Sequence, residues 1–249
     1  MLQTITSSES YIILAVFAVL TLAALIYLLS PPPPMSLLED VTIRGAEIRR
    51  RIRELLARGT FTADTRTVLV VGASDQALEH HEAIWLLRES NVNGSAMAMI
   101  RLVWDAMFRA VWFDGFATNE QVELAAHDEL DWQHISVRND IKRGRFGTIQ
   151  DSEKAAKLDK VFGKEFWKIP NSYTHTGRRR LARRFSYDQV KPSYTEHELA
   201  QGLSAATEAL LSCFVVLLKN LQWHEEADEI ALMYNRYHAE FDERLHSGK

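Results

Sequence analysis

Arg101, Asp105 and Arg109 recur at every fourth position in a stretch otherwise built from Met97, Ile100, Val103, Trp104, Met107, Phe108 and Trp112. On a helix the three charges share one face. A helix this apolar is expected to be buried nearly all round, and buried charges need partners. Asp105 can pair with both arginines and leave donors over. The cluster therefore reads either as an ion network holding helices in register or as a site for an anion or phosphate.

The densest run of charge is Lys164 to Arg184, where Lys164, Lys168, Arg178, Arg179, Arg180, Arg183 and Arg184 stand against the single acid Glu165. Phe166, Trp167, Tyr173 and His175 are interleaved with them, and Gly177 lets the backbone turn just ahead of the arginines. Basic side chains contact phosphates and aromatic rings stack on bases, a combination suited to a nucleotide or a single strand. The alternative is a solvated face paired with the acidic stretches 120–131 or 225–229.

Glu79-His80-His81-Glu82 offers ligating groups, but a zinc-protease helix needs its second histidine four residues after the first, and Ile84 stands there. His80 and His81 are accordingly assigned to a structural or ligand network. His127 and His134 lie two helical turns apart, too far for one ion. No metal or other cofactor is expected. The chain has no glycine-rich phosphate loop, no G-x-S-x-G elbow and no cysteine–histidine nucleophile pair. Cys213, the one cysteine, sits in an apolar run and fits a reducing compartment.

The elements that must carry these groups begin with Tyr11 to Leu29, nineteen residues without a charge. At about 1.5 Å per residue they span the hydrocarbon core of a bilayer. Tyr11 and Tyr27 lie near the ends, where amphipathic rings favour the interface, and Phe17 and Thr21 face the membrane or a pore. No Lys or Arg precedes the span, which argues against a cleaved leader. Arg44, Arg49, Arg50, Arg51 and Arg53 follow it. The expectation is a single-pass protein of the inner (cytoplasmic) membrane, with its amino terminus outside and its domain in the cytoplasm.

Residues 1–30 thus form a tail and membrane helix, 31–35 a stiff polyproline spacer, and 36–249 a soluble domain. The domain reads all-α. Helices are expected from Ser36 to Ala57, with Gly45 as a bend; from a cap at Thr62 or Asp64 to Glu89; and from Ser95 to Phe113. Others run from Asn119 to Lys142, within Ile149–Lys168, from Arg178 to Phe185, from Thr195 to Leu221 with Thr195 and Glu198 as a capping box, and from Glu225 to Leu245. In the last, Ile230, Leu232, Met233, Tyr237 and Phe241 form the apolar side. Net charge is only −4, so no global attraction to nucleic acid is expected.

Glu79-His80-His81, Asn93-Gly94-Ser95-Ala96, the Arg101 to Trp112 helix and Ser172-Tyr173-Thr174-His175-Thr176-Gly177 together resemble a family of uncharacterised bacterial helical domains related to HEPN-like abortive-infection proteins, over roughly residues 62–245. Many such proteins are ribonucleases that use an arginine followed four to six residues later by a histidine. This chain has no such pair. A single amino-terminal span joined to a cytosolic helical domain instead resembles the membrane effectors of nucleotide-signalling antiphage systems, such as the channel subunit of Hailong-type systems. That resemblance implies a non-enzymatic homo-oligomer in the lipid bilayer, opening an ion path when a nucleotide or short oligonucleotide, made by a partner enzyme, binds the domain. The alternatives are a membrane-tethered ribonuclease using His175 with Arg178 or Arg180, and a plain anchored interaction module.

Overall fold

The computed structural model describes residues 35–61, 63–132, 137, 139–141, 185–186, 189–190 and 193–247. The Tyr11–Leu29 span, with Phe17, Thr21 and Tyr27, lies outside them, as do the expected elements between residues 149 and 184. The chain divides into two compact units, 1–36 and 37–249. Among the described residues the second holds the helices α1 (Leu37–Leu56), α2 (Thr65–Glu89), α3 (Asn93–Gly115), α4 (Asn119–Ala126), α5 (Glu196–Asn220) and α6 (His224–Ser247).

The core forms around α5. Thirteen of its residues are buried, among them Leu203, Leu210, Cys213, Phe214 and Leu217, and it packs on α1, α2, α3 and α6. By length and composition α5 could cross a membrane, but 61% of its apolar window is buried inside the domain, as in a central core helix. Thr195 and Glu198 cap it reciprocally: the Glu198 N–H donates to Thr195 Oγ1 and the Thr195 N–H to the Glu198 carboxylate, both at 3.1 Å.

Helix α1 buries Leu38, Val41, Gly45, Ile48, Ile52 and Leu55, a stripe with alternating steps of three and four residues. Its polar side is fastened to α6. Asp40, 8% exposed, accepts from Arg44 at 3.0 Å and Arg244 at 2.8 Å, Arg44 also pairs with Glu240, and Arg51 holds Glu229 through two bonds of 2.5 and 2.6 Å. The helix runs unbroken through Gly45. That glycine lets Trp85 of α2 approach, and a Cβ there would lie 2.5 Å from Trp85 Cζ2.

Asp64 caps α2 by accepting from the Thr67 N–H at 2.7 Å. The strand-like run Val68-Leu69-Val70-Val71 is helical because its residues face different ways: Val70 is fully buried while Val68 is 55% exposed. Arg66 then ties α2 to the α3–α4 corner, donating to Phe113 O, Ala117 O at 2.9 Å and Asn119 Oδ1 at 3.0 Å.

Four expectations are corrected. Helix α3 is not buried all round: Arg101 and Asp105 are half-buried and Arg109 is exposed, so the charged stripe faces outward. Helix α4, capped by a Thr118–Gln121 box, stops at Ala126 rather than Lys142, and Asp128 takes the left-handed conformation (φ 59°) that short polar side chains tolerate. Beyond residue 132, helical backbone is described at Val137 and at 139–141. His127 caps the end of α4, and position 134 lies outside the described residues. Phe185 does not close a basic helix; Phe185–Ser186 pairs antiparallel with Gln189–Val190, Phe185 opposite Val190. In α6, Leu232 is 68% exposed and the buried stripe is Ala227, Ile230, Tyr237 and Phe241.

Two glycines give a direct test of this packing. Gly45→Ala drives a methyl into a rigid indole and is expected to lower stability by about 1–3 kcal/mol despite the helix-propensity gain. Gly202→Ala meets only the ends of Met97 and Ile100, at 2.8 Å, which can turn aside, so its urea midpoint should stay at or above wild type.

Candidate functional site

Helices α1 and α2 frame a cleft of about 680 Å³. Arg49, Arg50, Arg53 and Glu54 line it from α1, and Glu82, Trp85, Leu86 and Glu89 from α2. The spacing explains the convergence: Gly45, Arg49 and Arg53 follow at four-residue steps on one face of α1, and Glu82, Trp85 and Glu89 do so at three and four on α2.

Trp85 is the centre of this arrangement. Its ring is buried, packs on Gly45, and carries the Arg49 guanidinium 4.7 Å from the ring centroid. Its indole N–H donates to His81 Nδ1 at 3.3 Å. An indole nitrogen can only donate, so Nδ1 is unprotonated and the proton sits on Nε2. Nε2–H then donates to Thr207 Oγ1 on α5 at 3.0 Å, and the Thr207 hydroxyl donates to Leu203 O at 2.9 Å. Burial, with Arg49 adding to it, pushes the His81 pKa down to about 3, so the ring is neutral.

A second relay runs parallel to the first. The Cys213 thiol donates to Ser74 Oγ at 3.4 Å, and Ser74 to Val70 O at 2.8 Å. Burial raises the thiol to about 12, which keeps it protonated and unreactive.

At the cleft itself, Arg53 pairs with Glu82, and Arg50 donates to Glu54 at 2.5 Å, holding the Glu54 carboxyl below its ordinary range. Arg49 differs. Its Nη1 is buried and has no hydrogen-bond partner. Burial lowers its pKa to about 10, with Glu82 and Glu89 acting against that shift, so it remains a cation at neutral pH. The cleft thus offers one oriented, unsatisfied donor flanked by two exposed, ion-paired arginines.

The residues singled out from sequence are placed as follows. Arg101 pairs with Asp105 at 3.2 Å, whereas Arg109 lies over Trp132, 4.6 Å from the ring centroid. This is a surface stripe and not a buried network. His80 is half-buried beside Glu79, its pKa lowered mainly by burial, while His81 turns inward to Thr207. The two adjacent histidines therefore do not form one site. His175, Arg178, Arg179, Arg180, Arg183 and Arg184 lie outside the described residues. Among the described residues no group of three or more His, Cys, Asp or Glu side chains could hold a metal ion. Sequence reasoning missed the Arg49, Arg53, Trp85 and Glu82 convergence. The available signal was Gly45 one turn before Arg49, which marks a close approach by a large neighbour.

The relay makes stability depend on pH in a fixed direction. The unfolded chain takes up a proton at His81 below about pH 6.5, while the folded state refuses it down to about pH 3. Stability is therefore expected to fall on acidification from pH 7 to 5, by up to about 1.4 kcal/mol per unit below the unfolded pKa. His238, raised chiefly by its hydrogen bond to Glu208, opposes this weakly because it is exposed. His80, lowered by burial but half-exposed, adds a smaller slope of the same sign, so thermal melts of His81→Gln, which retains one acceptor and one donor, should lose most of the slope; an unchanged slope would assign it elsewhere.

No curated protein and no solved structure matches the chain. Residues 74–245, more than half of the 249, match the model of a family of unknown function (DUF6988), and the chain belongs to that family.

Proposed function

We propose that the protein is a membrane-anchored effector. Its helical domain binds a phosphate-bearing ligand such as a nucleotide or short oligonucleotide, and self-associated copies open an ion path through their amino-terminal spans. The observation that carries this reading is the place of α1. It forms one wall of the Arg49 cleft and starts at Leu37, three residues after the last proline of the Pro31–Pro34 segment that follows the apolar stretch. A ligand that draws α1 toward α2 acts on the helix continuous in sequence with the span. Polyproline is stiff enough to pass on such a displacement.

The apolar stretch supports the membrane assignment through its length and lack of charge, and its few hydroxyls suit a narrow pore gated by dewetting. One helix cannot enclose a path, so several copies are required. Assignment to antiphage defence rests on the resemblance of this architecture to known membrane effectors.

Full-length protein reconstituted in dye-loaded liposomes is expected to release ions only when a nucleotide ligand is added. Deleting residues 11–29 should abolish both membrane insertion and flux. A strictly monomeric protein in detergent, or flux unchanged across a nucleotide panel, would overturn the effector reading.

A further inference from the structure

We infer that the α1–α2 cleft is an oxyanion site, in which the phosphate group of a ligand is held by the Arg49 guanidinium while Arg50 and Arg53 close on it from the rim. The inference rests on the effector reading for its consequence, since it names the ligand chemistry and the place where that ligand acts.

Three features of the cleft converge on this chemistry. The buried Nη1 of Arg49 lacks an acceptor, a costly state that an incoming oxygen relieves. The guanidinium is already oriented, because it lies over Trp85, and Trp85 is fixed by Gly45 on one side and His81 on the other. Binding then requires little further ordering of that group. The cleft is open, but the Arg49 Nη1 itself is buried, so a charge-assisted bond to that atom is stronger than one to a fully solvated donor.

The acids around the cleft decide what can bind. Arg49, Arg50 and Arg53 face Glu54, Glu82 and Glu89, so the lining carries equal numbers of each charge and exerts little long-range pull on anions. The arginines at the rim are nonetheless free to change partner. Arg50 and Arg53 are 68% and 63% exposed, and exposed ion pairs of this kind hold by no more than about 1 kcal/mol. A phosphate offers two non-bridging oxygens in a diester and three in a monoester, each with more than one lone pair, and can take Arg53 from Glu82 and Arg50 from Glu54 while satisfying Arg49. The Trp85 face is covered by Arg49, so no base stacks on it. Recognition is thus of the phosphate, with little discrimination among the groups attached to it. Both a free phosphate ester and a phospholipid headgroup present that chemistry.

The test uses the full chain in phosphatidylcholine nanodiscs, titrated calorimetrically with inorganic phosphate and with AMP, and in a second arm the binding of soluble full-chain protein in mild detergent to phosphatidylglycerol vesicles. Saturable binding in either arm is expected, weakened about tenfold by Arg49→Lys, which keeps the charge but loses the planar fork. Arg53→Ala, which leaves the core untouched, should weaken it about threefold to tenfold and serves as the deciding variant if Arg49→Lys does not fold. Binding in the first arm alone identifies a soluble ester, and binding in the second alone a headgroup. Absence of binding in both arms, or binding indifferent to the deciding variant, overturns the site. Binding that depends on Arg49 without ligand-gated flux leaves the site standing and removes the effector reading. Gated flux that is unaffected at Arg49 does the reverse.

Discussion

The fold depends on how Trp85 is held. A large indole can be buried only if its N–H finds an acceptor and its faces find close neighbours. Here the acceptor is the Nδ1 of His81, one turn earlier on the same helix, and the neighbours are the bare Cα of Gly45 and the guanidinium of Arg49. His81 passes the obligation to Thr207, and Thr207 returns it to the backbone of α5 at Leu203. Through one side chain three helices are fixed in register, and every polar atom in the sequence of bonds has a partner. The same arrangement fixes the position of Arg49, whose remaining donor is left over.

Around that interior the surface is organised by charge. Helix α1 buries an apolar stripe one residue wide at each turn, and the pairs made by Asp40, Arg44 and Arg51 with Arg244, Glu240 and Glu229 fasten its polar side to α6. Singly such contacts contribute little, but Asp40 is nearly buried and accepts from two arginines, so its loss would leave those cations without their common partner. The two edges of α1 therefore do different work. The edge toward α6 is tied by well-satisfied pairs, and the edge toward α2 carries exposed pairs that can be exchanged.

Much of this was legible in the sequence. The Thr195–Glu198 box has a local cause and is legible in the sequence; at the start of α2 the sequence leaves Thr62 and Asp64 as alternatives, and Asp64 is the cap. Length alone settled the helical state of Val68 to Val71. What escaped had non-local causes. Arg101, Asp105 and Arg109 sit in a very apolar helix, yet that helix leaves one stripe uncovered, and composition does not reveal which stripe. The end of α4 at Ala126 depends on Asp128 adopting a left-handed turn that any of several neighbouring polar residues would have allowed. The Arg49 cleft was hidden because its arginines looked like the solvated side of an amphipathic helix. Only the position of Trp85, two helices' worth of packing away from any sequence pattern, separates Arg49 from Arg50.

The seclusion of Cys213 has a practical consequence. It is the only cysteine in the chain, fully buried and protonated, so in the native protein it is invisible to alkylating reagents. The natural sequence is in effect already a cysteine-less background for spectroscopy. Single cysteines placed along residues 11–29 or on the rim of the α1–α2 cleft can carry fluorophores or spin labels without first removing a core residue, and Cys213 itself becomes reactive only when the domain opens.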